Sequence, residues 1–355
     1  MATSKKPITT NDVASTKTLL HEAIPLTGTI VSGTYVNKAG VESNIKNYSH
    51  QMFQSVYDYA YLSSSANHIF DVTMGYSSNS ALSASTNTQN SKKINIYSQM
   101  AQVLVGHDVT GAILDFDRAG DLTDTGTKMR EVLFMNLSRL LTKDEIKKQS
   151  FTFKLLNGTS SADRKGGQDA TTVSDYGART SFKSNSPSGE YGLLYTSSAN
   201  IGTTGEGNHA VGAVYYQAGI AVLTASLYTG SFGHAAADYS TDSIGAVLTG
   251  SNITASCDGF RNTFQDLSFN NTTELNSTLY FCRVNHNEFN YSSNPTYLSA
   301  SQIRVKNVAS DAPISYVTTV GLYSPDNELM AVAKLSEPLK KDPSNEFTLR
   351  VRLDY

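Results

Sequence analysis

Four aspartates crowd one stretch of this chain: Asp115, Asp117, Asp121 and Asp124. The string Asp115-Phe-Asp117-Arg-Ala-Gly120-Asp121 starts like a calcium loop, since hard cations take carboxylate oxygens at alternate positions. The pattern fails at its fifth place, Ala119, and its twelfth, Gly126, where an EF-hand needs oxygen ligands. A solvated acidic turn is therefore expected, with a looser ion site as the alternative. Gly202–Gly212 (G-T-T-G-E-G-N-H-A-V-G) lacks the G-K-[ST] ending of a phosphate loop and the spacing of a dinucleotide turn. It reads as a hairpin tip. The histidines (His21, His50, His68, His107, His209, His234 and His286) form no H-x-x-x-H or H-E-x-x-H pair. No G-x-S-x-G nucleophile elbow occurs. The chemistry-bearing residues thus suggest a non-enzymatic protein without cofactor or metal.

Composition points the same way. Charged residues make only 17% of the 355, against the ~25% of ordinary soluble proteins. Ser, Thr and Asn together make about 30%, Tyr reaches 20 residues and Trp is absent. Such chains suit β-structure and wide, wet interfaces, where Tyr offers an apolar body with a hydroxyl tip. A net charge of −3 excludes the basic face of a nucleic-acid groove. Met1–Asp12 is polar, without the apolar core of a secretion signal, and no long apolar run suggests a membrane span. Cys257 and Cys282 give no zinc framework; buried thiols are expected, and a bridge between them stays open.

The elements that must carry these residues divide into four stretches. Residues 1–20 read as an N-terminal docking arm whose removal should leave the fold intact. Residues 21–156 read as a mixed α/β region. It holds a strand at Leu26–Val36, amphipathic helices at Tyr48–Leu62 and Ile94–Val105, and an apolar helix or buried strand from Lys128. Thr142-Lys-Asp-Glu145 has the form of a capping box and predicts a helical turn over Lys143–Lys148, followed by a strand at Phe151–Leu156. Residues 157–190 read as a long loop or excursion. Residues 191–355 read as a β-rich domain with strands at Tyr191–Thr196, Ala213–Tyr228, Ile244–Leu248, Thr278–Asn285 and Gln302–Asn307. The fold class expected is α+β and β-rich, an antiparallel β-sandwich core with a few helices in the N-terminal half.

The last stretch is the most regular. Ile314–Tyr323 alternates, Ser324-Pro-Asp-Asn327 is a turn, and Glu328–Leu335 returns as a second strand. Phe347, Leu349, Val351 and Leu353 alternate again at the end. The string Y-V-T-T-V-G-L-Y-S-P-D-N-E-L-M-A-V-A-K-L-S-E-P-L-K-K, from Tyr316 to Lys341, resembles a module of virion structural proteins of contractile-tailed (myovirus-type) phages. Residues 139–148 and 271–297 resemble the same proteins. The resemblance implies a protein of the tail, neck, collar or baseplate, assembled in the host cytoplasm and resident in the virion. It implies partners that are further copies of this chain, in a symmetric ring, and other virion proteins, with no nucleic acid or membrane. Pattern alone offers Tyr316, Val320, Leu322, Tyr323, Phe347, Leu349, Val351, Leu353 and Tyr355 as the contact residues. The alternative is a spike or decoration protein that binds host surfaces or glycans, for which long Ser/Asn loops and exposed Tyr would serve.

Overall fold

The computed structural model describes residues 5–26, 44–122, 127–156, 170–201, 209–228, 243–291, 298–299, 302–303, 310 and 313–355. The fold is α+β and β-rich, built from antiparallel sheets with few helices. It divides into two compact units, residues 20–273 and residues 1–19 with 274–355. The expected breaks near 157 and 190 fall inside the first unit, and the expected arm groups with the C-terminal residues.

The first unit is organised by an eight-stranded sheet. Its strands are β2 (Ile45–Asn47), β3 (Gln54–Tyr57), β4 (His68–Tyr76), β7 (Glu131–Leu137), β11 (Lys183–Ser186), β12 (Gly189–Leu194), β13 (Gly212–Tyr215) and β14 (Ile220–Thr224). They lie in the order β11-β12-β13-β14-β7-β4-β3-β2. Val132, Leu133, Phe134 and Met135 of β7 are all fully buried. Successive strand residues face opposite sides, so this unbroken apolar run requires cover on both faces.

One face is covered by α1 (Asn90–Leu104), whose buried residues Lys93, Ile96, Tyr97, Ala101 and Leu104 recur at helical spacing. The helix approaches β4 closely at Gly75. A Cβ there would stand 2.7 Å from the Lys93 carbonyl oxygen and 2.9 Å from the Tyr97 nitrogen. The Tyr97 hydroxyl donates to the Met129 carbonyl (2.9 Å) and accepts from the Phe116 N–H (3.1 Å). These bonds satisfy a phenol that would otherwise be buried unpaired. The Lys93 ammonium is buried too, and burial brings it down to about 8. It donates to the carbonyls of Leu248 and Ser251 at the end of α4 (Ile244–Gly250), where the helix dipole is negative.

The other face meets α5 (Ile253–Asn262). The Cys257 thiol donates to the Val72 carbonyl at 3.4 Å. Phe260, Phe264 and Phe153 pack edge to face, with centroids 4.6 and 4.7 Å from Phe264, and Phe70 lies 5.6 Å from the same ring. Phe264 begins β15 (Phe264–Val284), the long strand of a six-stranded sheet. Its first half pairs with β9 (Thr152–Leu156) and β8 (Glu145–Ile146), and β9 pairs in turn with β10 (Ala170–Ser174). Its second half pairs with β20 (Phe347–Asp354). Along its other edge runs β1 (Val13–Pro25).

Several local expectations change. Tyr48–Leu62 is not a helix: β2 and β3 turn about Gln51, which takes a left-handed φ of 57°. Thr142 ends a short helix, α2 (Arg139–Thr142), rather than starting one. Lys143 has φ 54°, and Glu145–Ile146 becomes a strand on β15. Ile244–Leu248 is helical, capped by Ser243, whose Oγ accepts from the Ala246 N–H. The described part of 157–190 is ordered. Asp175 is fully buried there and accepts from the N–H groups of Gln149 (2.6 Å) and Phe151 (3.1 Å) and the Tyr216 hydroxyl (2.9 Å). Burial outweighs those donors and pushes its carboxyl up to about 7. The expected strand at Leu26–Val36 lies, apart from Leu26, outside the described residues, as do 157–169 and Arg304–Asn307.

Candidate assembly interface in the C-terminal unit

The C-terminal unit is built around a two-stranded hairpin, β18 (Ser315–Tyr323) and β19 (Leu329–Lys341). Its turn closes through the Ser324 N–H to the Glu328 carbonyl (2.9 Å) and the Asn327 N–H to the Ser324 carbonyl (3.0 Å). Asn327 supplies the left-handed residue, φ 66°. At the base, the buried Lys341 ammonium uses three acceptors: the Asn290 side-chain oxygen (2.5 Å), the Asp342 carbonyl (2.9 Å) and the His286 carbonyl (3.0 Å). The Ser315 hydroxyl donates to the Phe289 carbonyl at 2.5 Å. These bonds fasten the hairpin to the turn that ends β15.

Register separates the hairpin into two faces. Val320 opposite Ala333 and Leu322 opposite Ala331 form a half-buried face. The other carries Thr319 opposite Lys334, Gly321 opposite Val332, and Tyr323 opposite Leu329. A register shift at Met330 brings Leu329 to the same side as Tyr323. This face is open, with Tyr323, Leu329 and Val332 exposed at 48%, 54% and 51%, and Met330 beside them at 68%. The Tyr323 ring lies against Gly321, where an added Cβ would sit 3.0 Å from the ring edge. Glycine therefore lets the ring lie down on the strand.

The N-terminal segment is tied to this unit. The Lys5 ammonium donates to the Asn327 side-chain oxygen (2.8 Å) and sits 4.1 Å over the Tyr323 ring. Lys6 pairs with Glu288 (2.6 Å), and Arg283 pairs with Asp12 (2.8 Å). Lys6 holds the Glu288 carboxyl below its ordinary range, and Thr9, ahead of Arg283, does the same for Asp12. Ser15 and Thr16 bond across to Thr278 and Ser277. Removing residues 1–20 would therefore take a strand from the sheet, contrary to the expectation of a dispensable arm.

The structure sorts the residues offered by the sequence. Tyr316, Tyr323 and Tyr355 are exposed, at 59%, 48% and 74%. Val320, Phe347, Leu349 and Leu353 are half-buried. Leu322 and Val351 are buried at 7% each and are packing residues, not contact residues. Leu329, Met330, Val332 and Leu339 were not foreseen. The available signal was L-M-A-V-A-K, where alanines alternate with larger apolar residues. The alanines face inward against Val320 and Leu322, leaving the larger side chains outside.

The acidic stretch is consumed internally. Asp115 accepts from the Ser77 hydroxyl (2.7 Å) and pairs with Arg130 (3.3 Å). Asp117 takes the N–H groups of Ala119 (2.7 Å) and Gly120 (2.9 Å) and pairs with Lys128 (2.8 Å). Asp124 lies outside the described residues, as do 202–208 of the glycine-rich stretch. Among the described residues, no three His, Cys, Asp or Glu side chains gather where a metal could sit. Cys257 and Cys282 are free thiols, both pushed upward chiefly by burial. Comparison with protein families, with curated proteins and with solved structures finds no match for the chain.

Proposed function

We propose that this chain is a non-enzymatic structural protein of a tailed-phage virion, assembling as a symmetric ring in the tail, neck or baseplate. The observation that carries the assembly reading is the open face of the β18–β19 hairpin. A two-stranded sheet is marginal alone, and this one displays Tyr323, Leu329, Met330 and Val332 to solvent. Contiguous exposed apolar side chains mark interaction surfaces, and Tyr and Met are enriched in them. The register shift between Val317 and Thr319 loops Leu335–Pro338 out of the ladder. Proline donates no hydrogen bond, so that part of the β19 edge resists strand addition. Contact through the face is accordingly favoured over edge-to-edge extension. In a ring each such contact is repeated around the axis, so modest interfaces sum to a stable assembly.

The virion part of the reading rests on the resemblance of three strings. In the fold, 316–341 forms the hairpin, while 139–148 and 271–297 meet where β8 pairs with β15, Ile146 opposite Asn271 and Glu145 opposite Thr272. The test is cryo-electron microscopy of purified virions that carry the chain. Density in a ring along the tail axis is the expected result. Density at a distal tip or scattered over the capsid moves the reading to a spike or decoration protein. Absence of the chain from purified particles contradicts it.

A further inference from the structure

The face of the eight-stranded sheet that α1 covers at Gly75 carries a different surface beyond the helix, on β2, β3 and β4. Cross-strand pairs place Lys46 opposite Ser55, and Ser55 opposite Asp71, on one side of the sheet. The Ser55 hydroxyl donates to Asp71 Oδ1 (2.5 Å), and His68 Nε2 meets the same oxygen at 2.8 Å. Because Ser55 gives its proton to Asp71, the Tyr48 hydroxyl donates to the Ser55 oxygen, at 3.2 Å. Asp71 Oδ2 has no protein donor among the described residues, and the carboxyl side chain is 23% exposed. An oriented carboxylate oxygen thus remains available to an outside hydrogen-bond donor.

Aromatic rings flank this polar centre on both sides. On one, Tyr48 packs with Phe53, centroids 4.7 Å apart, and stacks on His50 at 5.1 Å. On the other, Tyr57 meets His68 at 5.5 Å and Tyr61 at 6.4 Å. Tyr59 and Tyr61 are exposed at 62% and 38%. The loop that presents them is closed at its neck. Asp58 accepts from the Asn67 N–H (2.6 Å) and side-chain amide (2.7 Å), and the Asp58 N–H donates to the Asn67 carbonyl (3.1 Å). Such pre-organisation reduces the ordering cost of binding.

We propose that this strip is a binding site for a neutral oligosaccharide. Sugar rings present C–H faces to aromatic side chains and hydroxyl donors to a carboxylate, and the strip offers both in alternation. The Lys46 ammonium, 4.8 Å over the Tyr48 ring, balances the Asp71 carboxylate, so the strip has no net charge with which to hold phosphate, sulfate or an acidic sugar. The site is independent of the hairpin and of the assembly reading, since its residues lie in the other unit.

The test is binding of the fluorescently labelled full chain to a printed array of neutral hexose and N-acetylhexosamine oligomers, followed by calorimetric titration with the oligomer held best. The wild-type chain is expected to retain at least one neutral oligomer. Asp71→Asn should weaken that binding roughly tenfold or more through loss of a charge-assisted hydrogen bond. Tyr61→Ala, at an exposed ring, should weaken it several-fold with an unchanged melting temperature. A silent array, a preference for anionic glycans, or unchanged binding in Tyr61→Ala overturns the proposal. A silent array with a protein neighbour photocrosslinked from position 61 in assembled particles would assign the strip to a protein contact instead.

Discussion

β7 and β19 are both apolar strands in antiparallel sheets, and they meet opposite fates. Val132–Met135 of β7 is fully buried, with the Phe134 ring 5.7 Å from Phe116, inside a sheet whose neighbouring strand β4 carries α1 on one face and α5 on the other. β19 places its alanines inward and exposes Leu329, Met330 and Val332. Burial of large apolar groups supplies folding stability in the first case. In the second, those groups stay exposed to solvent, and the proposed assembly would cover them. The difference teaches that apolar periodicity identifies a strand without telling which of its large side chains the fold buries.

The largest expected effects lie in the first region. Phe134→Ala removes a fully buried ring and should cost about 3–5 kcal/mol, measured by denaturant unfolding. A loss comparable to a surface substitution would break the contrast. Gly75→Ala should cost about 1–3 kcal/mol, because its Cβ meets the backbone of α1 and the helix must move. Thermal melts check it, and an unchanged midpoint would mean that α1 does not seat against β4 as described.

A subtler prediction concerns pH. The Asp175 carboxyl titrates at about 7 when folded, against ~3.9 for an unfolded aspartate. The folded state therefore holds this proton more tightly. Its contribution to stability is greatest below the unfolded pKa, falls as pH rises toward 7, and levels off above. Asp175→Asn should flatten that slope in melts recorded across the interval. A slope equal to wild type would show that the carboxyl is already ionised, with its three donors outweighing burial. The smallest effect on stability belongs to the hairpin: Met330→Thr with Val332→Thr should stay within about 0.5 kcal/mol of wild type by the same melts.

Legibility in the sequence followed how locally each element is determined. α1 is readable because Ile94, Tyr97, Ala101 and Leu104 repeat at helical spacing, and the helix buries that stripe apart from the partly buried Ile94. The hairpin turn was readable because Asn327 takes αL with little strain. Tyr48–Leu62 misled because Met52, Phe53, Val56 and Tyr57 suit a helical stripe and two short strands equally. Pairing with β4, distant in sequence, decides between them. Thr142-Lys-Asp-Glu145 failed for the same reason, since pairing with β15 overrides the local capping pattern. Ile244–Leu248 is a short apolar run that length does not assign; in the structure Ser243 and Asn252 cap α4 and α5 by accepting from the Ala246 and Ala255 N–H groups. In the candidate interface, alternation offers Tyr316, Tyr323 and Tyr355, which the structure leaves exposed. It does not offer the exposed residues of β19, because the shift at Met330 moves Leu329 across the sheet. The polar centre at Asp71 draws on three strands, and no spacing along the chain announces it.

The most direct measurement of the central claim is sedimentation equilibrium of the wild-type chain beside a Met330→Glu, Val332→Glu double variant. The account predicts a concentration-dependent oligomer for wild type and a folded monomer for the variant, with matching circular dichroism. A wild-type chain that stays monomeric at every concentration, or a variant that assembles equally well, would contradict the hairpin face as the place where copies meet.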